Sequence, residues 1–162
     1  MQFGMIGSGS WATALAKILT DNGNTIHWWV RNTDTINYMH KRRHNPHYVS
    51  SAYFNTAQLH LCNNLLEVVQ KSDVLVVAVP SAFAEEVLQQ LPANALQGKK
   101  IISAIKGILP TQNLLLNEYL VQYFNVPLEN YFTVLGPCHA EEVASEKLSY
   151  LTFSGVDETM AK

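Results

Sequence analysis

Gln2-Phe3-Gly4-Met5-Ile6-Gly7-Ser8-Gly9-Ser10-Trp11-Ala12 joins a short apolar strand, Gln2 to Ile6, to a segment of helical period through a pair of glycines. The helical segment, Ser10 to Asp21, places Trp11, Leu15 and Ile18 at i, i+4 and i+7 and is closed by Asn22-Gly23. A glycine pair directly after a strand and opening a helix is the setting that a dinucleotide fingerprint requires. Gly7 allows the tight turn. Gly9 leaves room for the backbone to approach a pyrophosphate, and the helix N-terminus beyond it offers unpaired N–H groups and a positive dipole end. Ala12 stands in the third glycine's place, where helix and strand pack closely. An ordinary Gly-rich turn is the alternative reading of the same residues, and the position between strand and helix disfavours it.

Outward from this motif, short β-rich runs alternate with helical ones, each punctuated by Gly, Pro or Asn. The expected strands are Thr25 to Val30, Leu59 to Cys62, Val74 to Val79, Lys100 to Ala104, Tyr131 to Leu135 and Leu148 to Phe153. The expected helices are Thr33 or Asp34 (as cap) to about His40, Leu65 to Gln70, Ala82 to Gln90, Asn113 to Phe124 and Ala140 to Ser145. Lys41 to Thr56 is a polar, aromatic-dotted excursion. Val74-Leu75-Val76-Val77-Ala78-Val79 reads as a strand covered on both faces, which belongs in a parallel sheet. The fold class expected is α/β: a doubly wound, mostly parallel Rossmann-type sheet with helices on both faces. Residues 1–156 form the dinucleotide-binding domain. Asp157-Glu158-Thr159 resembles a helix N-terminus, so residues 157–162 read as the start of a linker or helix leading to a further domain.

The chain has 162 residues, 48% hydrophobic and 15% charged, with 11 Lys+Arg against 13 Asp+Glu. That balance, without a long basic block, leaves no electrostatic footprint for nucleic acid or an anionic membrane. The longest apolar run is too short to span a bilayer and the N-terminus lacks the charged start of a signal peptide, so a cytoplasmic protein is expected. Cys62 and Cys138 have no CxxC spacing and read as reduced thiols.

Ligands of open α/β sheets bind outside the carboxyl ends of the strands, so those ends carry the remaining candidates. The second strand ends in Trp29-Val30-Arg31, with no Asp or Glu to bind a ribose 2′-OH. Arg31 therefore favours NADP(H), with NAD(H) as the other cofactor; a solvated arginine is the plain alternative. Pro80 stops the fourth strand and Phe83 is a candidate cofactor wall. Lys106, followed by Gly107, can meet a phosphate or carbonyl oxygen as a point charge, although most lysines are merely solvated. Gly136-Pro137-Cys138-His139-Ala140 again aims a strand–helix junction at a ligand.

Taken together, GSGSWATALA at 7–16, WVR at 29–31, NPHYV at 45–49, VAVPS at 77–81, IKG at 105–107 and GPCHAEEVA at 136–144 resemble the N-terminal cofactor domain of the bacterial type of NAD(P)H-dependent glycerol-3-phosphate dehydrogenase. The resemblance implies reduction of dihydroxyacetone phosphate to sn-glycerol 3-phosphate for phospholipid synthesis, by hydride transfer from the nicotinamide. It implies that Ser10, Trp11, Arg31, Tyr48 and Ala140 touch the dinucleotide, beside Gly7, Gly9 and Pro80, which the motif and the strand end already place there. Lys106 would contact cofactor and substrate, and Gly136 and Cys138 would line the phosphosugar site. Cys138 departs from the serine or threonine commoner in the family and offers a weaker donor. The family's proton-donating lysine lies in a helical C-terminal domain that would begin after this chain, so these residues alone are expected to bind cofactor without turnover. The resemblance leaves room for a homodimer of the whole protein.

Other readings are weaker. His40, His44 and His47 have the i, i+4, i+7 spacing of a zinc face, but Pro46 breaks the helix. Cys138 beside His139 could form a nucleophile pair, but neighbours in sequence need not face each other, and a small packing residue or weak donor is the preferred reading. Lys41-Arg42-Arg43 is a solvated loop or a second phosphate contact. A stand-alone nucleotide-sensing module and another dehydrogenase with a helical second domain are the rival functions.

Overall fold

A computed structural model describes residues 1–161. Seven strands form one sheet: β1 (Phe3–Ile6), β2 (Ile26–Trp29), β3 (Leu59–Cys62), β4 (Val74–Val77), β5 (Lys100–Ser103), β6 (Tyr131–Leu135) and β7 (Thr152–Gly155), in the order β3-β2-β1-β4-β5-β6-β7. All pairings are parallel except β6 with β7, an antiparallel edge. The helices are α1 (Ser10–Asp21), α2 (Thr33–Arg42), α3 (Leu65–Gln70), α4 (Ser81–Leu88), α5 (Leu116–Phe124), α6 (Ala140–Ala144) and α7 (Glu158–Ala161). Strand order reverses between β1 and β4, which puts the switch-point crevice beyond Ile6 and Val77.

The central strands bury both faces because successive side chains alternate sides. Met5, Trp28 and Val76 join one core with α1 and α6, while Ile6, Leu75, Val77 and Ile101 join the other with α3, α4 and α5. On α1 the small residues Ala12, Thr13, Ala14 and Ala16 are fully buried beside Leu15, whereas Trp11 and Ile18 are only half-buried. The expected Trp11–Leu15–Ile18 stripe is thus rotated: small side chains let the helix approach the sheet, and Trp11 is left at its end. Ala12 fits at this contact with no exposure.

Several boundaries shift for identifiable reasons. The cap of α2 is Asn32, not Thr33 or Asp34: its Oδ1 accepts from the Asp34 and Thr35 N–H groups at 2.8 and 3.2 Å. Helix α5 starts at Leu116 rather than Asn113, because Asn113 has φ of 55° and Glu118 Oε2 takes the Leu115 N–H at 2.8 Å. The last strand begins at Thr152, not Leu148. Cys138 Sγ accepts from the Tyr150 N–H at 3.2 Å and donates to the Tyr150 carbonyl at 3.3 Å, so Tyr150 is tied to a side chain instead of a ladder. Asp157 Oδ1 accepts from the Thr159 and Met160 N–H groups and starts α7 as its acidic sequence suggests; Lys162 lies outside the described residues.

At the far edge of the sheet His27 and His60 occupy paired positions on β2 and β3 with stacked rings, centroids 4.9 Å apart. Burial, then the neighbouring His60 and Lys71, holds His27 below the ordinary imidazole range, with Glu67 opposing. The unfolded imidazole takes up its proton near pH 6.5, whereas the folded one waits for lower pH. Between those points the unfolded chain binds more protons, so this contribution to stability is complete above about pH 6.5 and is lost as pH falls. Thermal melts from pH 7.5 down to 5 should show His27→Gln with a flatter acid-side decline than the parent; superimposable curves would refute the His27 imidazole as its source.

Candidate nucleotide-binding site

Beyond Ile6 the chain turns at Gly7, which has φ of 118°; a Cβ there would lie 2.5 Å from the Ala78 carbonyl oxygen. Three buried donors sit beneath the loop. Trp28 Nε1 donates to the Gly7 carbonyl at 2.6 Å, Asn45 Nδ2 to the Ser8 carbonyl at 2.9 Å and Thr13 Oγ1 to the Gly9 carbonyl at 2.8 Å. Across a planar trans peptide the next N–H points the opposite way, so the N–H groups of Ser8, Gly9 and Ser10 turn away from these donors. Gly9 is the α1 cap and has no side chain to occupy the first-turn N–H groups. A Cβ on Gly9 would meet nothing within 4 Å, so open space lies over the loop.

That space is an open groove of about 570 Å³ along the carboxyl ends of β1, β4 and β5 and the start of α6. Gly9, Ser10, Trp11, Pro80, Lys106, Cys138 and Ala140 line it together. Lys106 also borders a second open cavity of about 510 Å³, lined with Gly107, Asn117, Tyr131, Thr133 and Gly136. Burial pushes the Tyr131 phenol up, a hydrogen bond with Ser103 partly offsetting it, so it stays neutral at neutral pH. Lys106 is therefore the one expected site residue shared by both spaces. A cationic side chain at that junction can contact groups in either cavity.

The family model for the NAD-dependent glycerol-3-phosphate dehydrogenase N-terminus matches residues 2–161. The chain belongs to this family. It is 34% identical over 155 residues to a glycerol-3-phosphate dehydrogenase [NAD(P)+] of Aster yellows witches'-broom phytoplasma, covering 94% of the chain and 44% of that protein. With the Bacillus subtilis protein of the same description it shares 33% identity over 151 residues, 93% of the chain and 44% of the relative. The chain spans about half the length of the curated relatives it matches. The glycerol-3-phosphate dehydrogenase structure from Coxiella burnetii superposes with a TM-score of 0.86 at 23% identity, over 99% of the chain and 48% of that one, and shares the fold.

Within this family member not every expected residue reaches the groove. Arg31, beyond the β2 end, and Tyr48, 44% exposed, lie outside its lining, and Phe83 is 55% exposed and does not wall it. Gly136 lies in the adjacent cavity, where a Cβ would sit 2.3 Å from the Tyr150 carbonyl oxygen, so packing alone requires glycine. Cys138 faces the groove with its thiol bonded to the Tyr150 main chain. Among the described residues, no three His, Cys, Asp or Glu side chains converge as metal ligands, and no helix is long and apolar enough to cross a membrane. Ser81, His139 and Glu141 also line the groove, beyond the expected site residues. Ser81 lies inside the VAVPS match and His139 and Glu141 inside GPCHAEEVA, so each carries a signal in the sequence. Asn45 is buried beneath the loop, and although it opens the NPHYV match its own residue type gave no sign of that place.

Proposed function

We propose that this chain is the cofactor-binding part of a cytoplasmic glycerol-3-phosphate dehydrogenase that interconverts dihydroxyacetone phosphate and sn-glycerol 3-phosphate for glycerophospholipid synthesis. The observation that carries the reading is the groove over Gly9, Ser10 and Trp11 at the switch point, with Lys106 on the side where a second cavity begins. The residues present fit a dinucleotide: the loop N–H groups are unoccupied by a cap, Gly9 faces open space and the groove is long enough to run from α1 to α6.

In this reading the N–H groups of Gly9, Ser10 and Trp11 hold the pyrophosphate. Pro80 and Ala140 shape the groove walls, and Tyr48 covers the outer end. Arg31, an exposed cation next to the capped α2 N-terminus, is the reader of a 2′-phosphate, which favours NADP(H) over NAD(H). When bound, the nicotinamide supplies the hydride for the substrate carbonyl. Lys106 neutralises charge between cofactor and phosphosugar, while Gly136 and Cys138 line the substrate side. The proton for the product alkoxide comes from a lysine in the remaining half of the relatives' length.

Calorimetric titration of the chain with NADPH and with NADH tests this. NADPH should bind more tightly. Arg31→Ala should weaken NADPH by roughly 10- to 100-fold, since a charge-assisted contact is worth about 1.5–3 kcal/mol. NADH affinity should stay within about twofold. Equal losses for both nucleotides would remove Arg31 from the 2′-phosphate role, and binding of neither would defeat the nucleotide reading.

A further inference from the structure

Asn45 lies in the excursion between α2 and β3, is 1% exposed, and satisfies both polar atoms of its side chain, the amide nitrogen with partners in the distant loop and α1 start and the oxygen within its own segment. Its Nδ2 donates to the Ser8 carbonyl at 2.9 Å and to Thr13 Oγ1 at 3.0 Å. Its Oδ1 accepts from the His47 and Tyr48 N–H groups at 3.0 and 3.3 Å. Thr13 passes the restraint on, because its own hydroxyl hydrogen goes to the Gly9 carbonyl at 2.8 Å. The Ser8 carbonyl and the main chain of Tyr48 therefore depend on one carboxamide, which also braces the Thr13 hydroxyl against a Gly9 carbonyl that the Thr13 N–H holds at 2.9 Å.

Resting on the nucleotide reading above, we infer that Asn45 is the positioning residue of the pyrophosphate loop: by holding the Ser8 carbonyl, and through Thr13 the Gly9 carbonyl, beneath the loop it aims the Gly9 and Ser10 N–H groups at the ligand, and by bonding the Tyr48 N–H it sets the excursion beside them. No other residue type replaces it. Asp lacks the donor, Ser and Thr are too short to serve both segments, and Gln is one methylene too long for a site with no exposure. Released from Asn45, the Ser8–Gly9 peptide is free to rotate and point its carbonyl at the incoming phosphate, which reverses the local dipole from attractive to repulsive.

Asn45→Ala and Thr13→Val, checked for cooperative melting, are titrated with NADPH and with 2′-AMP, which has the adenosine and 2′-phosphate but no pyrophosphate. Amide hydrogen exchange is followed in the ligand-free chain. Asn45→Ala should weaken NADPH by about tenfold or more while 2′-AMP changes by less than about twofold. Thr13→Val, which keeps the Tyr48 bond, should lose NADPH affinity to a lesser degree. The Tyr48 amide should exchange faster in Asn45→Ala and at the parent rate in Thr13→Val. Should Asn45→Ala fail to fold, Thr13→Val decides alone. Parent-like NADPH affinity in the folded variants, or equal losses for NADPH and 2′-AMP, overturns the role given to Asn45. A parent chain that binds neither NADPH nor NADH overturns the nucleotide reading with it, so the two failures are told apart.

Discussion

Gly9→Val is expected to reduce NADPH affinity by at least about 100-fold while leaving the fold in place. Gly9 has φ of −76° and ψ of −174°, an extended conformation open to any residue, and an added Cβ meets no atom within 4 Å. Folding therefore loses little, about 1 kcal/mol for a poor cap residue and a Tm shift of only a few degrees. The new methyl groups occupy the space through which a pyrophosphate would approach the first turn of α1. Titration and a thermal melt on the same sample check both halves. A variant that still binds NADPH would place the phosphates elsewhere.

Gly7→Ala should have the reverse profile. At φ of 118° an L side chain is strained, and its Cβ would press on the Ala78 carbonyl oxygen at 2.5 Å and on Val79 Cγ1 at 3.0 Å. Those are main-chain and core atoms between β1 and the β4 end, with no flexible side chain to yield. A loss of roughly 3 kcal/mol or more is expected, which at this chain length lowers Tm by roughly 6–12 °C. Denaturant unfolding measures it, and a Tm within about 2 °C of the parent would contradict the close β1–β4 approach. Two glycines two positions apart thus meet different surroundings, Gly9 facing open space and Gly7 pressed against main chain.

Much of the architecture was legible because its signals are local. Ser10–Asp21, Leu59–Cys62, Leu65–Gln70 and Tyr131–Leu135 occupy the residues expected of them, each bounded by a turn or cap residue and with a consistent period. Leu148–Tyr150 misled because its apolar alternation is real, whereas the Cys138 contact that withholds Tyr150 from the sheet comes from 12 positions away. The site divides in the same way. Gly9, Ser10, Trp11, Pro80 and Lys106 announce themselves at strand ends, where one residue's neighbours declare its position. Asn45 does not, since its partners Ser8 and Thr13 lie 37 and 32 positions away and Asn before Pro reads locally as a turn. Trp28 is similar: its burial is evident from β2, but not that its indole N–H serves the Gly7 carbonyl 21 positions back.

That indole bond bears on when the cost of order falls. Fixing a residue's backbone costs about 1–2 kcal/mol in conformational entropy. Because Trp28, Asn45 and Thr13 anchor three consecutive carbonyls in the ligand-free chain, the loop loses its freedom when the sheet assembles, as part of one cooperative transition. On the proposed nucleotide reading, association then draws nothing further from that source, and contacts to the loop N–H groups would not be diminished by ordering it. Core tryptophan and ligand affinity are connected through time, the one settling during folding what the other would otherwise have to settle at every encounter.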